Sequence, residues 1–86
     1  MALLPSQDWV IQQIDGTVVL YQQGTEEEIV RFDPANSNET AQAQKVIYDD
    51  PRLSDEDKSF AHFWSGYFYA YAHMQPEEHD LERRAI

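Results

Sequence analysis

Two apolar runs near the start of the chain, residues 9–14 and 17–21, predict the first two strands of an antiparallel sheet. Both runs are rich in β-branched and aromatic residues, which favour strands. They are separated by Asp15-Gly16, a pair that favours the two-residue type I′ turn because both positions accept a positive φ. This turn fixes the register of the hairpin, in which Gln12 pairs with Val19.

A third strand is predicted over residues 28–32, after a turn at Gly24-Thr25 and before Asp33-Pro34, where proline cannot donate to the ladder. A two-residue loop at that turn places Val30 and Phe32 on the same face as the Gln12–Val19 pair. Both faces of the meander are then substantially apolar, although an antiparallel sheet usually leaves one face to water. Either the register slips or the second face meets another surface, and that candidate face carries Trp9, Ile11, Val18, Leu20 and Ile29.

A short helix is predicted over residues 36–49. Asn36 or Ser37 can cap its start, and Asp50-Pro51 stops it because the residue before a proline avoids the helical region. Its apolar stripe is thin and consists of Thr40, Ala43 and Ile47. The predicted fold is therefore α+β, with the order β-β-β-α-α once the second helix is added.

The second helix is predicted to begin after Ser54, a good N-cap, and to run to Met74 or Gln75 before Pro76. Acidic residues at 55–57 suit the positive end of its dipole. At about 100° per residue, half of its circumference is apolar and ring-rich. The predicted interaction residues of this helix are Phe60, Phe63, Trp64, Tyr67, Phe68 and Tyr71.

Seven of the eleven aromatic residues lie between positions 60 and 71. Each buried ring removes about 150–250 Å² from water, whereas three strands offer a platform only about 15 Å wide. We predict that this platform takes Phe60, Trp64, Tyr67 and Tyr71. The flanking residues are expected to pack on the first helix or on a partner; they are Phe63, Phe68 and Met74. The pattern alone leaves open a fully intramolecular core, a protein-binding or self-association face, and a ligand cage.

Gly66 interrupts the interior of this helix at a cost of about 1 kcal/mol relative to alanine. Two interpretations are compatible with it. The glycine is a tolerated exposed residue, or it permits another backbone to approach the helix closely.

The chain has 86 residues, a length that predicts one domain. It has no cysteine, which excludes disulfides and thiolate metal sites. We predict a single domain over residues 1–75 and a polar, flexible segment over 76–86. The first residues lack the basic and apolar regions of a signal peptide, and no apolar run approaches the roughly 20 residues of a membrane span. We therefore expect the protein in the cytoplasm, and we expect that it does not bind a membrane.

The formal net charge is −10, from 16 acidic and 6 basic residues, which disfavours direct binding to a nucleic-acid backbone. The acidic residues provide solubility, or they imitate a row of phosphates and occupy the nucleic-acid site of another protein. At the negative end of the first helix, acids are unfavourable unless Arg52 pairs with them. The predicted acidic surface comprises Glu26, Glu27, Glu28, Asp49 and Asp50.

No catalytic or phosphate-binding motif is present, so we expect no enzymatic activity and no cofactor. His62 and His73 lie about 16 Å apart along one helix and cannot share a metal ion. His79 has acidic neighbours and lies near His73 and Glu77 in sequence. The segment that contains His79 follows a helix-ending proline, so we predict that it is a solvated tail. We therefore predict no metal site. A metal-dependent enzyme is a third class of function, and it requires zinc or manganese retained through purification at about one equivalent per chain.

The segments Asp8–Ile11, Gly16–Leu20 and Glu28–Pro34, together with the downstream Phe63–Tyr67 helix, resemble short acidic proteins encoded by phages of actinobacteria. The resemblance spans most of the chain and is one of overall style. It implies a non-enzymatic accessory role, either as a part of the virion or as a small factor that acts on a host protein in the host cytoplasm. We therefore predict an interaction module that self-associates or docks on a partner, with the acidic inhibitor of a nucleic-acid-binding protein as the alternative.

Overall fold

The computed structural model describes residues 2–25 and 27–74. These form a four-stranded antiparallel sheet, in chain order, followed by two helices. The α+β class is therefore confirmed, whereas the predicted number of strands is corrected from three to four. The elements are β1 (Ala2–Leu3), β2 (Trp9–Ile14), β3 (Thr17–Gln22), β4 (Glu28–Phe32), α1 (Ser37–Asp49) and α2 (Asp55–Ala72).

The additional strand, β1, pairs with β2 through Ala2 opposite Ile11 and Leu3 opposite Val10. Two residues are too few to display the period of a strand, which is why the sequence pattern did not indicate it. Leu4 follows directly and is buried in the core. The start of the chain is thereby held against the sheet. The tail predicted over 76–86 lies outside the described residues.

The first hairpin has the predicted register, with Gln12 opposite Val19. Its turn residues have positive φ angles of 51° at Asp15 and 85° at Gly16. These angles are those that a type I′ turn requires. Local turn chemistry alone therefore fixes the alignment of β2 with β3.

The second hairpin departs from the prediction at a β-bulge. Tyr21 lies opposite Glu28, as the two-residue loop requires, but Leu20 then lies opposite Val30, and the register shifts between these two pairs. Ile29 is the extra residue on β4. Because one added residue reverses the side-chain alternation, Val30 moves to the face of Leu20.

The bulge also carries Phe32 onto this face, opposite Val18, so most of the apolar residues of the sheet are gathered on one side. Both helices pack on that side, since Ala43, Ile47 and Ala61 share one cluster with it. This corrects the predicted sheet interaction face, because its strand residues are covered by the helices. Trp9, Ile11, Val18 and Leu20 are buried in the core, and Ile29 is partly buried against it.

Both helices begin at the predicted caps. The Asn36 side chain accepts a hydrogen bond from the Glu39 amide at 3.1 Å, and the Ser54 side chain accepts one from the Asp57 amide at 3.1 Å. α1 buries the three residues of its predicted stripe. α2 ends at Ala72, slightly before the predicted position.

Candidate interaction surface

The fully buried residues of α2 all have small or polar side chains. Asp57, Ala61 and Ser65 are its buried residues, and their four-residue spacing places them along one line of the helix. Ser65 Oγ donates to the His62 carbonyl at 2.7 Å and accepts from Gln44 Nε2 at 3.0 Å. These short side chains allow α2 to lie close to both α1 and the sheet.

Asp57 connects this face to the start of the chain. Its carboxylate accepts a hydrogen bond from the Ser6 amide at 3.1 Å, and the residue is 1% exposed. The sequence pattern assigned Asp57 only to the helix dipole. The four-residue spacing of Asp57, Ala61 and Ser65 was the signal that a small-residue face points inward.

The large rings of α2 lie mostly outside the core. The prediction that the sheet takes Phe60, Trp64, Tyr67 and Tyr71 is wrong for three of these residues, because the small-residue line occupies the inward face instead. We call the four exposed rings the aromatic stripe. They are Phe60 (50% exposed), Phe63 (62%), Tyr67 (51%) and Tyr71 (58%).

Trp64 and Phe68 join the aromatic stripe to the core. Both are partly buried against the core cluster. The Trp64 ring lies 5.6 Å from that of Phe63 and 5.4 Å from that of Tyr67, both edge-to-face, and Tyr67 meets Phe68 at 5.7 Å. Edge-to-face pairs stabilise by about 0.5–1.5 kcal/mol each. The stripe is therefore held in place by packed rings while it remains exposed.

The aromatic stripe lies on the side of α2 that is remote from α1. The His62 ring contacts the Tyr48 ring of α1 in a tilted arrangement with centroids 5.2 Å apart, and Tyr69 Oη lies 3.1 Å from Ser37 Oγ. At about 100° per residue, the centre of the stripe is roughly half a turn away from Tyr69. One flank of α2 thus faces α1, and the opposite flank presents the rings to solvent.

The stripe is also free of formal charge. Residues 59–72 contain no aspartate, glutamate, lysine or arginine, although the chain carries 22 such residues. The charges of α2 are confined to its first turn, at positions 55–58. A charge-free ring surface on so acidic a chain can be covered without desolvating an ion.

The predicted acidic surface is largely engaged in ion pairs. Arg52 binds Asp50 with Nη2–Oδ2 at 2.7 Å and also pairs with Glu27, and Arg31 binds Glu28 at 2.6 Å. The hydrogen bond to Arg52 holds the pKa of Asp50 below its usual value, although partial burial opposes this shift.

The pKa of Glu28 is lowered in the same way by its hydrogen bond to Arg31. Asp49 is exposed, and Glu26 lies outside the described residues. Arg52 also lies over the Trp9 ring, with its Cζ 5.8 Å from the ring centroid. The pairing of Arg52 with the acid at the end of α1 was predicted, whereas its reach to Glu27 and Trp9 was not.

The sheet face opposite the helices is a less continuous apolar surface. Leu3 and Ile14 are about half exposed there. Gln12 lies on β2 between the Leu3–Val10 pair and Ile14, and its Nε2 donates a 2.9 Å hydrogen bond to Tyr21 Oη on β3. The polar groups of this pair interrupt the apolar surface, so the aromatic stripe is the stronger candidate for docking.

Other predicted features form no site in the described part of the chain. A Cβ added to Gly66 would meet no atom within 4 Å, so no other segment of the described residues approaches it closely. Among residues 2–25 and 27–74, no group of three or more metal-ligating side chains is assembled. His79 and Glu77 lie outside these ranges. Within the same ranges, no helix has the length and apolar character needed to cross a membrane.

No protein-family model, curated protein or solved structure matches the chain. Its function is therefore argued from the geometry and chemistry of the aromatic stripe.

Proposed function

We propose that the protein is a non-enzymatic interaction module that docks on a protein surface through the aromatic stripe of α2. The observation that carries this proposal is the placement of the rings. α2 packs on the core through Ala61, with Trp64 and Phe68 partly buried against it, while the four rings of the aromatic stripe are at least half exposed. A role as a small virion-associated or assembly protein of a phage is the biological setting that the sequence resemblance supports.

The size of the stripe supports docking. At about 150–250 Å² per ring, the four half-exposed side chains leave about 400 Å² in water. A patch of this size is comparable with the largest apolar patch of a typical monomer, which is often functional. Rings of this kind dominate interface energetics because they are large and lose little side-chain entropy.

The alternative, an acidic protein that occupies a nucleic-acid-binding site, has weaker support. Its carboxylates should be available to a basic partner, but Glu27, Glu28 and Asp50 are already paired with arginines. Binding through free carboxylates should weaken steeply with ionic strength, whereas binding through uncharged rings should not.

Site-specific photo-cross-linking tests the docking surface. A photoreactive benzoylphenylalanine replaces Phe63 in one variant and Tyr48, an exposed ring on α1, in the matched control. Each variant is irradiated in an extract of cells that make the protein. We expect position 63 to give an adduct. Excess unlabelled wild-type protein should prevent this adduct, whereas excess Phe63→Ser/Tyr67→Ser variant should not prevent it.

The mass of the adduct identifies the occupant of the stripe. An adduct at twice the chain mass indicates a second copy, and a different mass indicates a foreign protein. Equal labelling from positions 63 and 48, unaffected by the competitor, would overturn the proposed function.

A further inference from the structure

We infer that the occupant of the aromatic stripe is a second copy of this chain, bound with the two α2 helices antiparallel about a two-fold axis. This inference rests on the proposed function and specifies its partner. The two-fold axis passes near the middle of the stripe, between Phe63 and Tyr67. Phe63 of one copy then lies beside Tyr67 of the other, and Phe60 beside Tyr71.

The spacing of the stripe suits a helix as its occupant. Phe60, Phe63 and Tyr67 follow the three-then-four alternation of a helix–helix seam, Ala70 and Met74 occupy the next two positions of that alternation, and Tyr71 lies beside Ala70. The 18 residues of α2 are about 27 Å long, and a second α2 matches that length along the whole seam. No charge lies within residues 59–72 to specify a partner of opposite sign.

The available area is sufficient for a modest dimer. Two stripes bury about 800 Å² of ring surface, and their flanking residues bring the total near the roughly 1,200 Å² at which specific interfaces begin. The flanks include Ala70 and Met74, which line a shallow apolar groove with Tyr67 and Tyr71. A dimer held by an interface of this size is expected to dissociate when the protein is diluted.

The acidic first turn determines the direction of pairing. In a parallel pair, Asp55 and Glu56 of both copies would lie side by side at one end. In an antiparallel pair the two acidic turns are about 25 Å apart, which is well beyond the Debye length of about 8 Å at physiological salt. A two-fold arrangement also closes the assembly at two copies.

Salt dependence distinguishes a second copy from a basic foreign partner. Each copy carries a net charge of −10, so the two copies repel at long range while their rings attract. Salt screens this repulsion, so self-association is expected to tighten as ionic strength rises. Docking on a basic protein would weaken under the same change.

Sedimentation equilibrium on the purified chain, from about 1 µM to about 1 mM, is the first test. We expect the mass to rise with concentration from 10.1 kDa toward twice that value, and to rise further at high salt. Phe63→Ser/Tyr67→Ser is expected to weaken association at least about tenfold. The control Tyr48→Ser, with an exposed ring on α1, should associate like the wild type.

Cross-linking then tests the direction, and the cysteine-free chain permits single-cysteine variants. Ser59 and Ala70 are exposed, flank the stripe and lie about 16 Å apart along the axis. In the antiparallel pair, Ser59 of one copy lies at the level of Ala70 of the other. A mixture of Ser59→Cys and Ala70→Cys should therefore give a mixed adduct with a short bis-maleimide, in excess of either homodimer.

A wild-type mass of 10.1 kDa at every concentration and salt would overturn the inference of a second copy. The proposed function would still stand in that case if position 63 gave a competable adduct with a foreign protein. Antiparallel pairing through the stripe would be overturned if the dimer gave no mixed adduct. It would also be overturned if Phe63→Ser/Tyr67→Ser left the association constant unchanged.

Discussion

α1 and α2 pack on the same sheet face but bury different kinds of side chain. α1 buries the large aliphatic side chain of Ile47 together with Thr40 and Ala43, while Val46 and Tyr48 remain exposed. The fully buried residues of α2 are Asp57, Ala61 and Ser65, none of them a large apolar side chain, and the four rings of the aromatic stripe are at least half exposed. The second arrangement buries less apolar surface than the rings of α2 could provide, which supports the proposal that those rings bind a partner.

The same difference assigns folding stability and association with a partner to different sets of residues. Residues that hold the domain together lie on α1, on the sheet and on the small-residue line of α2. The residues proposed to bind a partner form the aromatic stripe, which Trp64 and Phe68 join to the core. Changes to the two sets are therefore expected to affect different measurements.

The largest expected contrast is between two truncations. Ile47→Ala removes a fully buried side chain of α1 and is expected to lower the free energy of unfolding by about 3 kcal/mol. Phe63→Ala removes an exposed ring of α2 and its edge-to-face contact with Trp64, and is expected to lower it by only about 1 kcal/mol. Urea unfolding of dilute protein checks both, and equal costs would place the Phe63 ring in the core.

The small-residue line of α2 is tested by adding bulk. Ala61→Leu inserts three carbon atoms into a fully buried position and is expected to destabilise by about 2 kcal/mol through overpacking. The matched control, Ala41→Leu on the exposed side of α1, should lie within about 0.5 kcal/mol of the wild type. Thermal unfolding distinguishes them, and a neutral Ala61→Leu would refute the close approach of α2.

Gly66 lies off the stripe with open space at its Cβ. Gly66→Ala is therefore expected to stabilise the chain by up to about 1 kcal/mol, because alanine restricts the unfolded state and favours helix. It should leave the association constant unchanged. If the substitution weakened association instead, a second backbone would have to approach α2 at Gly66 rather than at the stripe.

The smallest expected effect is that of the Arg52 ion pair on acid stability. The folded pKa of Asp50 is lowered, so its contribution is present above the unfolded value of about 3.9 and is lost as the pH falls through the folded value. Asp50→Asn should cost less than about 1 kcal/mol at pH 7, and this difference from the wild type should shrink in acid.

Unfolding curves from pH 7 to pH 2 measure this dependence. Asp49→Asn, an exposed neighbour outside the Arg52 ion pairs, is the matched control. A difference between wild type and Asp50→Asn that grew in acid would have the wrong sign.

Local chemistry accounts for the parts of the fold that were predictable from sequence. Asp15-Gly16 specifies one turn type and hence the register of β2 and β3, and Asn36 and Ser54 each cap a helix through a hydrogen bond to a residue three positions ahead. Such features depend on a few neighbouring residues. They do not require knowledge of what lies across the core.

The parts that were mispredicted depend on contacts between distant segments. The bulge at Ile29 exists because Val30 gains burial under helices that come later in the chain. Periodicity identified the ring-rich half of α2 correctly, but it could not show which side would face the sheet. That choice depends on the close packing of Ala61 and Ser65 against the sheet and α1.

The most direct test of the exposed stripe is NMR relaxation by a soluble paramagnetic agent, recorded at low and high protein concentration. In dilute protein we expect strong relaxation of the Phe63 ring protons and little of the Ala61 methyl group. At high concentration the Phe63 ring should become protected while the Tyr48 ring on α1 remains exposed. A Phe63 ring that is shielded in dilute protein, or equally exposed at every concentration, would contradict this account.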